Sequence, residues 1–198
     1  MMPKIIGITG RAGSGKDTLA DYLVNVHDAQ KYNFALPLKQ ALNAMFGWTM
    51  EQWDDRVWKE DTIPWLGRSP RYLAQTIGTE WGRDLVRPDL WVKLAEQRYL
   101  AHRETQPDSP FVIPDCRFDN EALMIKELGG VVVQIRGRAT QVETHLSEAG
   151  IAQGFIDAWI DNVGTIPEYI TRAVETLDYL EAKSGLHKAL NCLEDRFP

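Results

Sequence analysis

Residues 5–18 read Ile-Ile-Gly-Ile-Thr-Gly-Arg-Ala-Gly-Ser-Gly-Lys-Asp-Thr, and this stretch restricts the fold more than any other. The apolar run from Pro3 to Thr9 predicts a buried parallel strand. Leu19, Leu23 and Val26 at helical spacing predict an amphipathic helix that starts near Lys16. Between them, Gly10, Gly15 and Lys16 have the spacing G-x-x-x-x-G-K of a loop that wraps a phosphate chain. Its glycines allow backbone angles that a Cβ forbids, so successive N–H groups can face oxygens. The helix aims its positive end at the same anion, and Lys16 adds a mobile point charge for the outer phosphates.

One position departs from the common form. The residue after the lysine is Asp17, and the hydroxyl comes one later, at Thr18. One step along a helix turns a side chain by about 100°, so Thr18 does not simply replace the missing hydroxyl as a magnesium ligand. Two readings of Asp17 stand side by side: it holds a magnesium-bound water, or it is a first-turn carboxylate that favours the helix dipole.

A chain of 198 residues is long enough for one α/β domain with a core and a small insertion. A formal net charge of −6 argues against a protein that coats a nucleic acid polymer, though not against a local basic site for a nucleotide. No apolar run is long enough to cross a bilayer, so no membrane partner is expected. Cys116 and Cys192 lack metal-ligand spacing and read as reduced thiols, which fits a cytoplasmic location.

Further along, a strand is predicted over Lys31–Ala35, then a helix with Leu38, Leu42, Ala44, Met45 and Phe46 on its apolar side. Residues 47–70 are polar and aromatic, with Trp48, Trp53, Trp58 and Trp65 between breakers, and read as a flap insertion. Ser69-Pro70 starts a long helix with Leu73, Ile77, Trp81 and Leu85 along one face. Pro88 or Asp89 starts the next, through about Arg103, with Trp91, Leu94, Ala95 and Arg98 as its inner stripe. Phe111–Pro114 is a strand, Asn120–Leu128 a helix closed by Gly129-Gly130, and Val131–Arg136 a strand. Residues 137–154 are polar and read as a lid. A strand over Ala158–Asn162 precedes a last helix with Ile166, Ile170, Ala173, Val174, Leu177 and Leu180 on one face. Short apolar strands alternating with helices mean a five-stranded parallel sheet covered on both faces, an α/β fold. Ligands of such sheets sit beyond the carboxyl ends of the strands.

Several strand ends carry chemistry. Asp115 follows the Phe111–Pro114 strand, where an acid can approach the magnesium or its water shell; the bland reading is a helix cap. Arg117 is close enough to address a transferring phosphoryl group, or it pairs with Asp119 or Glu121 on the surface. Arg136 and Arg138 bracket Gly137 and suit a lid that closes over a nucleotide, or a solvated turn. His145, beside Ser147 and Glu148, reads as a hydrogen-bonder of that lid. Arg71, Arg83 and Arg87, with Gln75, Thr79 and Trp91, could hold a second phosphorylated ligand, since arginine reads phosphate bidentately. On spacing alone Trp91 is better read as core. Lys39 stands just past the second strand, where it could reach a phosphate.

These blocks resemble the bacteriophage deoxynucleoside monophosphate kinases. The likeness rests on Gly10–Thr18, Phe34-Ala35-Leu36-Pro37-Leu38-Lys39, Ser69-Pro70-Arg71 and Leu73 to Arg83 with its Gln-Thr-Ile-Gly-Thr core. It continues through Asp89-x-Trp91, Asp115 to Glu121, His145-x-Ser147-Glu148 and Asp161-Asn162, so it covers nearly the whole chain. That family is similar in fold to adenylate kinase: P-loop, five-stranded parallel sheet, substrate flap and lid. Adenylate kinases also end the loop with lysine, any residue, then threonine.

The resemblance implies transfer of the ATP γ-phosphate to a deoxynucleoside 5′-monophosphate, with Mg2+. It implies that Arg11, Ala12, Gly13, Ser14, Gly15, Lys16, Asp17 and Thr18, with Arg136 and Arg138, hold ATP. Leu38, Lys39, Arg71, Gln75, Thr79, Arg83 and Trp91 should face the acceptor. Lys16, Arg117 and Asp115 should act in catalysis, with Asp17, Thr18 and Asp115 at the metal directly or through water. Two other readings stay open: a kinase of another small phosphometabolite, and a nucleotide-binding regulatory ATPase. The sequence also leaves open whether the chain pairs as a homodimer. Its location would be the host cytoplasm if the chain is phage-encoded.

Overall fold

The computed structural model describes residues 2–137 and 150–194. In chain order the elements are β1 (Ile5–Thr9), α1 (Lys16–His27), β2 (Gln30–Lys31), α2 (Leu36–Phe46), α3 (Arg56–Glu60) and α4 (Pro70–Thr76). A π-helical segment, Ile77–Val86, continues α4, and α5 (Leu90–Thr105) and β3 (Phe111–Ile113) follow. The chain goes on through α6 (Asp119–Glu127), β4 (Val131–Arg136), β5 (Ala158–Asp161) and α7 (Ile166–Glu194). It divides into two compact units, Met1–Tyr32 with Arg98–Pro198, and Asn33–Gln97.

The first unit carries one sheet in the order β2-β3-β1-β4-β5, with every pairing parallel. All five residues of β1 are buried, as the continuous apolar run requires of a strand flanked on both sides and covered on both faces. It pairs Ile5 with Phe111 on one side and Ile6 with Val131 on the other. Ile6, Ile8, Val133, Ile135 and Ile160 from the sheet form one core with Leu19 and Leu23 of α1 and Tyr169, Ala173 and Leu177 of α7. Each such aliphatic side chain contributes about 1.5–3 kcal/mol on burial. The chain leaves β1 toward the β3 side and crosses to the β4 side after β3. Strand order therefore reverses at β1, the place where open parallel sheets take ligands. The glycine loop follows this strand.

β1 and β4 match the predicted strands closely. The strand predicted over Lys31–Ala35 is cut to two residues, because the chain turns at once: Leu36 N bonds Asn33 O at 2.9 Å and α2 begins with Pro37 in its first turn. In α5 the inner stripe is Trp91, Val92, Ala95, Tyr99 and His102, and Arg98 is exposed. His102 Nε2 lies 3.0 Å from Ser109 O, which ties the end of α5 to the approach to β3.

The second unit has its own small core, built from the residues read as a flap. Trp48, Trp53 and Trp58 meet edge to face at 5.1–5.9 Å between ring centroids, and Phe46 stacks on Trp48 at 4.6 Å. Trp53 Nε1 donates to Asn43 Oδ1 at 2.8 Å, so the buried indole of these three keeps its donor satisfied. Asp55 caps α3 through Val57 N and Trp58 N, and Ser69 caps α4 through Tyr72 N.

The apolar stripe predicted on the long helix is only half right. Trp81 and Leu85 are 51% and 79% exposed. The segment is wound wider than an α-helix, with Arg87 N bonding Gly82 O at 3.0 Å, five residues back. Gly78 and Gly82 take the inner face instead. There Trp91 Nε1 donates to Gly78 O at 2.7 Å, and a Cβ on Gly82 would come within 2.6 Å of the Trp91 ring.

Candidate active site

Positive φ at Gly10 (138°), Gly13 (73°) and Gly15 (105°) shapes the loop after β1 into a cradle. A Cβ on Gly10 would sit 2.6 Å from Ile135 O, and one on Gly15 would overlap Asn162 Nδ2, whereas Gly13 opens on free space. Arg11, Ala12 and Gly13 are exposed, and Ser14 is buried. Lys16 Nζ donates to Gly10 O at 2.7 Å and Arg11 O at 2.8 Å, which folds the ammonium back over the loop. Asn162 Nδ2 donates to Ser14 O at 2.7 Å and Tyr169 Oη to Gly15 O at 3.0 Å. Asn162 sits just past β5, and Tyr169 in the first turn of α7. That helix starts with a capping box in which Thr165 and Glu168 bond each other's backbone N–H.

The turn after β3 lies against the end of β1, since Cys116 N bonds Ile8 O at 3.3 Å. This places Asp115, half-buried, and Arg117, exposed, in the unit that holds the loop. Glu121 is 3% exposed, and its Oε2 accepts from Arg117 N at 2.8 Å and Phe118 N at 3.2 Å. Asp119 accepts from Ala152 N at 2.8 Å. Burial, with help from the nearby Glu121, Asp115 and Asp119 carboxylates, pushes the Cys116 thiol well up, so it stays protonated and inert.

Asp17 and Thr18 are exposed on the first turn of α1. Asp17 Oδ1 lies 3.4 Å from Lys31 Nζ, which also meets Asp21 at 2.8 Å. No group of three His, Cys, Asp or Glu with metal-binding geometry occurs among the described residues. Arg136, at the end of β4, is exposed; its Nε donates to Asp161 Oδ1 at 3.1 Å and its guanidinium lies 5.7 Å from the Trp159 ring. Arg138, and His145, Ser147 and Glu148 of the candidate lid, lie outside the described residues.

In the second unit Arg71, Gln75, Thr79 and Arg83 recur every fourth residue along α4 and the π-helical segment. Arg71, Gln75 and Thr79 are exposed and Arg83 is partly covered, so they form a polar row on the helix surface. Arg71 Nε pairs with Glu60 Oε1 at 2.6 Å, both side chains about half exposed. Lys39 Nζ lies 5.5 Å from the Trp53 ring centroid. Leu38 and Trp91 are buried, against Gly78 and beneath Gly82 respectively, so both brace the row from behind. Arg87 is turned onto Asp89 and leaves this group.

Sequence reasoning offered Glu121 only as a surface ion-pair partner of Arg117, where it is instead buried on backbone N–H groups, and assigned no role to Asn162 or Tyr169. Glu121 and Asn162 stand within matched motifs, which was the available signal. Their partners are backbone atoms, which leave no mark in a residue pattern.

A parallel sheet whose central strand runs into a glycine cradle, with a lysine folded over it, defines a P-loop nucleotide-binding protein of the kinase type. The profile of the deoxynucleotide monophosphate kinase family matches residues 4–63 and 48–173. The chain belongs to the deoxynucleotide monophosphate kinase family. A protein of Acanthamoeba polyphaga mimivirus, provisionally named a deoxynucleotide monophosphate kinase, is 33% identical over 88% of this chain and 96% of its own length. The deoxynucleoside-5′-monophosphate kinase of Escherichia phage T5 is 26% identical over 78% of this chain and 88% of its own. Among solved structures, a gluconokinase from Sinorhizobium meliloti aligns over 94% of this chain and 98% of its own, with a TM-score of 0.48 and 13% identity.

Proposed function

We propose that this chain transfers the γ-phosphoryl group of ATP to a deoxynucleoside 5′-monophosphate. The observation that carries the donor half is the Lys16 ammonium held 2.7 and 2.8 Å from two carbonyls of the glycine cradle, at the place a triphosphate would enter. The backbone of Arg11 to Gly15 with Lys16 binds the phosphates. Arg136 and Arg138 are the lid cations of this reading, and Arg136 would exchange its exposed contact with Asp161 for the nucleotide. The cradle and its lysine fit a magnesium–triphosphate. Such a metal would be held mainly by phosphate oxygens and water, with Asp17, Thr18 and Asp115 as its protein groups, and would neutralise charge on the phosphates.

The acceptor monophosphate is already an anionic nucleophile, so no strong base is needed. The protein's tasks are to hold two polyanions, screen their repulsion and exclude water. Lys16 and Arg117 screen charge at the donor. Lys39, Arg71, Gln75, Thr79 and Arg83 hold the acceptor, and Leu38 and Trp91 support them. The Arg71–Glu60 pair does not oppose this role, because a half-exposed ion pair is worth only about 0–1 kcal/mol and yields to a dianionic phosphate.

The deciding experiment is a coupled assay of the four common deoxynucleoside monophosphates with ATP and magnesium. Turnover with at least one of them supports the reading. Turnover only with a different phosphorylated metabolite, or ATP hydrolysis indifferent to any monophosphate, overturns it. No helix of the described residues is long and apolar enough to cross a membrane.

A further inference from the structure

We infer that Asn162 and Tyr169 are positioning residues for donor binding: they set the direction of the P-loop N–H groups from behind, without touching the nucleotide. The inference rests on the donor-site reading above. Asn162 Nδ2 reaches Ser14 O at 2.7 Å and Tyr169 Oη reaches Gly15 O at 3.0 Å, two consecutive carbonyls of the loop. In a planar trans peptide the C=O and the following N–H point opposite ways. Pinning the Ser14 carbonyl therefore turns the Gly15 N–H away from Asn162. Pinning the Gly15 carbonyl likewise turns the Lys16 N–H away from Tyr169. These N–H groups belong to the stretch that cradles an anion in such loops.

The pair is built for this task. Asn162 is 5% exposed and Tyr169 1%. Among the described residues Asn162 Oδ1 has no hydrogen-bond partner, so it is the amide nitrogen that the fold uses. Gly15 O accepts a second bond, from Leu19 N at 3.1 Å, and is thereby shared between the first turn of α1 and the phenol. Burial raises the Tyr169 phenol far above its ordinary value, so it remains a donor throughout the working pH range. Asn162 is also bonded to the strand beside the loop: its own N donates to Arg136 O at 2.7 Å. One residue thus fixes the phosphate loop and the exit of β4 together. Only glycine at position 15 leaves room for the Asn162 amide.

The test measures binding rather than turnover, with the purified 198-residue chain and two donor probes, ATP and inorganic tripolyphosphate, by calorimetry. Tyr169→Phe deletes one hydroxyl and keeps the ring. Asn162→Asp replaces the donor with a carboxylate that repels the Ser14 carbonyl. Tyr169→Phe should weaken both probes by about 3–10-fold and Asn162→Asp by more, with monophosphate affinity within about twofold of wild type. Equal weakening for tripolyphosphate is expected because the effect lies at the phosphates. Melting temperature identifies the folded variants, and if Asn162→Asp fails to fold, Tyr169→Phe decides alone. Folded variants that bind ATP like wild type, or that lose monophosphate affinity equally, would overturn the inference. A wild-type chain that binds neither probe would instead overturn the donor-site reading itself.

Discussion

Glu121 grips Arg117 by its backbone: the buried carboxylate oxygen Oε2 accepts the Arg117 N–H at 2.8 Å and the next one, of Phe118, at 3.2 Å. A charge-assisted clamp of this kind fixes the turn that presents the guanidinium. Glu121→Ala should lower unfolding free energy by about 1–3 kcal/mol and reduce kcat, with both nucleotide KM values little changed. Glu121→Gln retains an acceptor oxygen and should recover most of each loss. Chemical denaturation and steady-state kinetics check both; a folded Glu121→Ala with wild-type kcat would refute the clamp.

Lys16→Ala should leave the melting temperature near wild type and reduce transfer by at least about 10²-fold. Its ammonium bonds two carbonyls of a surface loop, that of Arg11 exposed and that of Gly10 partly buried, and no residue of the sheet core depends on it. Near-normal turnover would mean that the glycine loop is not the donor site.

Arg83→Ala should raise KM for the monophosphate by roughly tenfold or more while KM for ATP moves by less than about twofold. The reverse order would remove the polar row on α4 and the π-helical segment from the acceptor role.

Gly82→Ala is expected to destabilise the second unit by about 1–3 kcal/mol, because the new methyl meets the Trp91 ring at 2.6 Å and Ile77 O at 2.9 Å. Thermal unfolding measures it. An unchanged melting temperature would show that Trp91 does not pack there in solution.

Tyr32 contributes to the alkaline limb of stability, beside Tyr169, Tyr99 and Cys116, whose pKa values burial also raises. Burial, with Asp115 adding and Arg98 opposing, pushes its phenol up to about 12 from an ordinary 10.0. The folded state thus disfavours the ionised form. The stabilisation is complete below the unfolded value and is lost as pH rises from about 10 to 12. Its hydroxyl has no partner among the described residues, and its ring stacks on Phe111 at 5.7 Å, so Tyr32→Phe should be neutral or stabilising at pH 7. The variant should also reduce, without abolishing, the loss between about pH 10 and 12, as read by urea denaturation. An unaltered alkaline limb would assign that loss elsewhere.

What could be read from the chain follows the range of the forces involved. The β1–loop–α1 unit was legible because its glycines, lysine and apolar spacing act over a few residues. β4 was legible because a strand buried on both faces writes itself as an unbroken apolar run. The end of β2 was missed because Tyr32 and Phe34 stay buried past its last residue, Lys31, so hydrophobicity outlasts the strand. Trp81 and Leu85 were misplaced because Gly78 and Gly82, which carry no apolar side chain to read, take the inner face against Trp91. Asn162 and Tyr169 escaped because their partners are main-chain atoms 148 and 154 residues away.

The knot of Trp48, Trp53 and Trp58 has an optical consequence. Every tryptophan except Trp159 falls between Asn33 and Gln97, so intrinsic emission reports almost solely on that portion of the molecule. Indoles held edge to face at 5.1–5.9 Å share their transitions, and near-ultraviolet dichroism will carry the signature of that coupling. If the proposed acceptor row takes up a monophosphate, its titration needs no label.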